Sequence, residues 1–137
     1  MKYYLHVLKN YFVISGRASR REYWMFILFN IIFATCTIII DKIIGSRITI
    51  RTGFTLPYGY VYLTYVILLL IPGTTVSVRR LHDVGKSGWM ILISFIPIIG
   101  AIWLIILYLK DGDFHENKYG KNPKNVFIPE LNSESLQ

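Results

Sequence analysis

One cysteine, five prolines and eight acidic residues in a chain of 137 are the scarcities that first constrain this protein. A lone Cys36 can make no internal disulfide and no cysteine-based metal site, and its place in an apolar stretch reads as packing. The acidic residues face fifteen lysines and arginines, for a net charge of +7. Charge is also missing from whole stretches: residues 23–40, 58–78 and 89–109 carry none. At 1.5 Å per helical residue these runs reach about 27 to 31 Å, the thickness of a bilayer's hydrocarbon core. The first run starts too far into the chain and is too long for a signal-peptide core, and no small-residue cleavage pattern follows it. Catalytic signatures are absent as well, with no Gly-x-Ser-x-Gly, phosphate-cradling glycine loop or CxxC. Asp111-Gly112-Asp113 opens like a calcium loop. Glu116 then occupies the position that needs glycine and Asn122 the twelfth, so the pattern fails.

What is present is apolar: 53% hydrophobic residues and a mean hydropathy of +0.45. A soluble core helix shows an apolar stripe with charges opposite, whereas these runs are apolar all round. The expectation is an all-α membrane protein of one domain. Three transmembrane helices, at about 23–42, 58–78 and 89–109, occupy residues 19–109. A short interfacial amphipathic segment, residues 1–18, precedes them, with Tyr3, Tyr4, Leu5, Val7, Leu8, Tyr11 and Phe12 on one helical side. A surface helix packed on the bundle fits that periodicity as well. Residues 110–137 form a polar tail, disordered beyond Pro129.

Local signals refine the elements. Ser19 and Glu22 have capping-box spacing, which gives Glu22 a structural task. Residues 41–56 form a loop, irregular or with a short hairpin among Ile48, Ile50, Phe54 and Leu56. Pro72 interrupts the second span's ladder, and Thr74, Thr75 and Ser77 can meet the freed carbonyls. Ser87 is a cap for the third span, which Pro97 is expected to kink.

Two crossings separate the cluster at residues 17–22 from that at 79–86, so both face one compartment. Three crossings put eight basic residues on that side and seven on the other, including the tail. The first span's flanks, five basic residues before and three after, break the near-tie toward a cytoplasmic amino terminus and an outer tail.

The candidate binding residues are Arg17, Arg20, Arg21, Arg79, Arg80 and Lys86. Five arginines share their side with two carboxylates, Glu22 and Asp83, an excess that suits phosphate because a guanidinium matches it bidentately. Single arginines beside spans more often anchor the helix and meet headgroups without specificity. Ser19, Glu22, His82, Asp83, Ser87 and Trp89 are read as structural or ion-pairing. His82-Asp83 could support acid–base work, but neighbours on a turn seldom point at each other. His115, by parity, lies across the membrane. No cofactor, metal or nucleic acid is expected, since the basic residues flank the spans. The expected partners are anionic lipids, with a homo-oligomer or another membrane protein beside them.

Residues 16–24, residues 79–89 and Asn117-Lys118-Tyr119-Gly120-Lys121-Asn122-Pro123 resemble the YhaH/YhaI type of small bacterial inner-membrane protein, catalogued as domain of unknown function 805. The resemblance covers residues 3–123 and implies a multi-pass protein of the bacterial inner (plasma) membrane with no established activity. Val84, Lys118 and Lys121-Asn122 depart from the usual pattern. A binding or scaffold protein whose arginine face engages anionic headgroups or a partner is the leading reading. A subunit of an oligomeric transporter or channel is the alternative, motivated by Pro72 and Pro97. A membrane enzyme acting on a phosphorylated lipid through His82 and Asp83 ranks third.

Overall fold

The structure, a computed structural model, describes residues 1–49, 51, 53 and 55–124. Four α-helices follow in chain order: α1 (Lys2–Lys9), α2 (Arg20–Ile44), α3 (Tyr60–Asp83) and α4 (Ile99–Leu109). A 3₁₀ segment, Gly88–Phe95, lies between α3 and α4. No strand occurs among the described residues; isolated antiparallel bridges join Thr49 to Thr55 and Asn117 to Gly120, and Leu56 N–H donates to Ile48 O at 2.9 Å. Ile50 and Phe54, the other residues of the expected hairpin, lie outside the described residues, as does the tail beyond Lys124.

Helices α2 and α3 are antiparallel partners, each long and apolar enough to cross a membrane. Both ends of the pair are fastened by charge. At one end Glu22 of α2 meets Arg79 of α3. At the other, buried Asp41 of α2 reaches the open N-terminus of α3. Its carboxylate accepts from Gly59 N–H at 3.1 Å, Val61 N–H at 3.1 Å and Tyr62 N–H at 2.9 Å. A helix start leaves such donors unpaired, and an anion there also meets the positive end of the helix dipole. Between the two ends the outer faces stay apolar and exposed, with Ile31 60% and Leu70 65% accessible.

The buried core gathers at the arginine end, around Val7, Phe26, Val76, Leu81 and Leu104. Helix α1 joins it: Tyr4 and Val7 are buried, and the Tyr4 ring stacks on Phe26 with centroids 5.5 Å apart. The N-terminal segment is thus packed on the bundle. Its continuation solves the proline problem in α3. Pro72 cannot donate to Leu68 O, four residues earlier, and the Tyr11 hydroxyl donates there instead. The expected hydroxyls act one turn further on, Thr74 on Leu70 O and Ser77 on Gly73 O, each at 2.7 Å.

The third apolar run differs from expectation. It is not one kinked helix but two short pieces folded against each other. Ser87 caps the 3₁₀ piece, accepting from Trp89 N–H at 3.4 Å. The chain then reverses at residues 96–98, where Ile98 takes φ 65°, ψ −63° and Ile99 N–H donates to Pro97 O at 2.7 Å. That is a γ-turn around a β-branched residue, an uncommon and strained geometry. Gly100 lies so close to the Ile93 carbonyl that a Cβ has no room. Helix α4 therefore returns to the arginine end from which the 3₁₀ piece departed.

Candidate functional site

The cap of α2 opens the site. Ser19 Oγ accepts from Glu22 N–H at 3.2 Å, the serine half of the expected capping box. The Glu22 carboxylate accepts from Arg79 Nη2 at 2.6 Å. Ala18 N–H donates to Arg79 O at 3.0 Å, which draws the residues before α2 onto the end of α3.

Asp83 is the hub. Its Oδ1 accepts from Arg17 Nε at 2.9 Å and its Oδ2 from Arg80 Nη1. The other guanidinium nitrogens of both arginines are also engaged. Arg17 Nη1 reaches His115 O at 2.8 Å and Gly120 O at 3.2 Å, and Nη2 reaches Asp113 O. Arg80 Nε donates to Tyr108 O at 3.2 Å and Nη2 to Lys110 O. Asp113 N–H closes the joint on Asp83 O at 2.8 Å. A buried guanidinium demands acceptors for its five donors. Asp83 and backbone carbonyls at and after the end of α4 supply most of them.

These contacts correct the expected topology. Arg17 and His115 cannot be in hydrogen-bond contact and also face opposite compartments. Residues 110–124 lie at the same end of the helix pair as both arginine clusters: the two clusters share a side as expected, and only the placement of the tail and His115 across the membrane is overturned, because the third run folds back.

The candidate residues separate into two groups. Arg17, Arg79 and Arg80 are buried and bonded to protein, although Arg79 Nη1 lacks an acceptor among the described residues. Arg20 and Arg21 instead line an open groove of about 580 Å³ beside Tyr3, Trp24, Asp111 and Lys124. Arg20 pairs with Asp111 at 2.8 Å, which holds that exposed carboxyl below its ordinary pKa. Arg21 is exposed and no protein acceptor for it is found among the described residues. Lys86 is exposed on the turn after α3 and does not line this groove.

His82 and Asp83 point to different partners. His82 Nδ1 lies 3.2 Å from Gly16 O, and its ring stacks on Tyr119 with centroids 3.8 Å apart. Trp89 stands exposed beside this stack. No group of metal-ligating side chains occurs among the described residues.

Sequence reasoning did not find Trp24, Asp111, Asp113, Asn117 and Lys124 as parts of this surface. Asn117 is the most telling, since its Nδ2 donates to His82 O at 3.0 Å and to Asp113 Oδ2 at 2.8 Å. Its place in the Asn117–Pro123 segment that carried the resemblance was the available signal.

The family described as "Protein of unknown function (DUF805)" matches residues 11–121. This chain belongs to the DUF805 family. "Inner membrane protein YhaH" of Escherichia coli strain K12 is 43% identical over 124 residues, covering 90% of this chain and 98% of that protein. "Inner membrane protein YhaI" of the same strain is 38% identical over 124 residues, 90% of this chain and 97% of its own length. "Uncharacterized protein YiiR" is 28% identical over 140 residues, 84% and 88% of the two chains. No solved structure matches. The matched region contains Arg17, Glu22, Asp83 and the Asn117–Gly120 turn, so the bridged arginine face lies within the family's domain.

Proposed function

We propose that this DUF805 protein is a multi-pass protein of the bacterial inner membrane whose basic surface binds anionic phospholipid headgroups. Membrane residence is supported by α2 and α3, with their exposed apolar faces, and by relatives named as inner membrane proteins. In this reading α2 and α3 each cross the bilayer, and the amino terminus is cytoplasmic.

The observation that carries lipid binding is the groove at the start of α2. Arg21 and Lys124 line it, neither side chain hydrogen-bonded to a protein acceptor among the described residues, and Trp24 forms part of its wall. A phosphodiester there would meet a guanidinium able to bond it bidentately and the positive end of a helix dipole. Tryptophan favours the headgroup level, where its ring is amphipathic. The buried arginines serve this surface indirectly by holding the tail, and with it Lys124, over the end of α2.

Native mass spectrometry after gentle detergent extraction tests the reading. The wild-type protein is expected to retain phosphatidylglycerol or cardiolipin. The paired variant Arg21→Ala and Lys124→Ala should lose most of that lipid while keeping its helical circular dichroism. Retention of no anionic lipid by the wild type, or equal retention by the variant, overturns the proposal.

A further inference from the structure

The hairpin of the 3₁₀ segment and α4 is the largest feature that headgroup binding does not use. It presents a continuous apolar surface to the outside: Trp89 is 79% accessible, Phe95 81%, Ile98 75% and Ile99 70%. No charge interrupts it between Lys86 and Lys110. We infer that this hairpin is a wedge that inserts into the acyl chains of one leaflet and returns, so the chain crosses the membrane twice and both its amino terminus and its tail are cytoplasmic. The inference rests on the membrane reading above but not on the lipid-binding groove.

Length is the first argument. Eight 3₁₀ residues at about 2.0 Å and eleven α residues at about 1.5 Å each extend roughly 16 Å. That is half of a hydrocarbon core of about 30 Å. Either arm alone is too short to cross, and the two are folded side by side.

Attachment is the second. The wedge leaves from Gly88, packed within 2.6 Å of Val78 by its would-be Cβ, beside His82. It returns at Tyr108 and Lys110, whose carbonyls Arg80 holds. Both ends are therefore bolted to one surface.

Backbone chemistry is the third. A reversal inside lipid is tolerated only where its polar groups find partners within the protein. Ile96 N–H donates to Ile93 O at 2.9 Å, Ile99 N–H to Pro97 O at 2.7 Å and Gly100 N–H to Ile96 O at 3.0 Å. Pro97 has no N–H to satisfy.

Charge is independent of all three. With three crossings the basic residues divide eight to seven. With two crossings and a wedge, only Lys42, Arg47 and Arg51 lie on the far side, leaving twelve of the fifteen with both termini. Basic residues accumulate on the cytoplasmic side of bacterial membrane proteins, so the near-tie becomes a decisive asymmetry.

Cysteine labelling tests the wedge. In a Cys36→Ser background, single substitutions Lys9→Cys, Arg47→Cys, Ile98→Cys and Glu116→Cys are probed with a membrane-impermeant maleimide in spheroplasts and in inverted vesicles. The expected result is labelling of positions 9 and 116 only in inverted vesicles and of position 47 only in spheroplasts. Position 98 should react on neither side until detergent is added. Labelling of position 116 from the same face as position 47 overturns the wedge in favour of a third crossing. Labelling of position 98 from either face without detergent overturns it by placing the turn in water. Disulfide formation between Ile98→Cys copies overturns it by assigning the face to self-association. Failure of the membrane reading itself has a different signature: the protein stays in the supernatant when membranes are pelleted.

Discussion

Asp83 joins three parts of the chain that are distant in sequence: Arg17 before α2, Arg80 within α3, and the backbone after α4. Two guanidiniums that are nearly inaccessible depend on this one carboxylate for countercharge, and an unpaired buried charge is far more costly than an absent pair. Asp83→Ala should therefore destabilise the fold by about 3–5 kcal/mol, read as a fall in the unfolding midpoint in detergent. The triple variant Asp83→Leu, Arg17→Leu and Arg80→Met should recover part of that loss, because it removes the charges along with their partner. The arginine motif was legible in the sequence as a positive cluster. Its internal balance was not, because the acceptors that complete Arg17 and Arg80 are main-chain carbonyls of residues 108–120, which carry no residue-type signal. Of the six candidates Arg17, Arg20, Arg21, Arg79, Arg80 and Lys86, the open groove takes in Arg20 and Arg21 and adds Lys124.

At the scale of elements, α2 and α3 match the expected runs closely, because an unbroken helix satisfies the backbone of a long apolar run within the run itself. The start of α3 was less legible. No side chain at the cap position serves it, because the cap residue is Gly59; the cap comes from Asp41, across the loop on another helix. Replacing a capping carboxylate typically costs about 0.5–2 kcal/mol. Asp41→Ala should lie at the upper end of that range, with faster hydrogen exchange at Val61 and Tyr62 N–H than in the wild type. Unchanged exchange at those two amides would show that the carboxylate does not hold the helix start. For the third run, hydropathy and length pointed to one helix. What defeated that reading was a turn at Pro97–Ile98 in which the helix ladder is abandoned rather than bent, an outcome that proline alone leaves undetermined.

For the whole molecule, the tail acts as a clamp. It closes over the arginine end through Asp113, His115 and Gly120, and the stack of Tyr119 on His82 adds a second contact. Deleting everything after Lys110 removes three carbonyl acceptors from Arg17 and Asp111 from Arg20. The truncated protein should keep the circular dichroism of its long helices but unfold at a lower temperature, and lose retained anionic lipid along with Lys124. An unchanged midpoint would make the tail a passive appendage. By itself the sequence determined that the chain is helical, that its long uncharged runs suit a bilayer, and that arginines gather at the ends of those runs. These follow from composition along short windows, where local hydropathy and spacing decide the outcome. Only the tertiary structure decided that the third run turns back and that the tail lies with the arginines. That outcome depends on which distant carbonyls reach buried guanidiniums, and hydrogen bonds across a hundred residues leave no local trace.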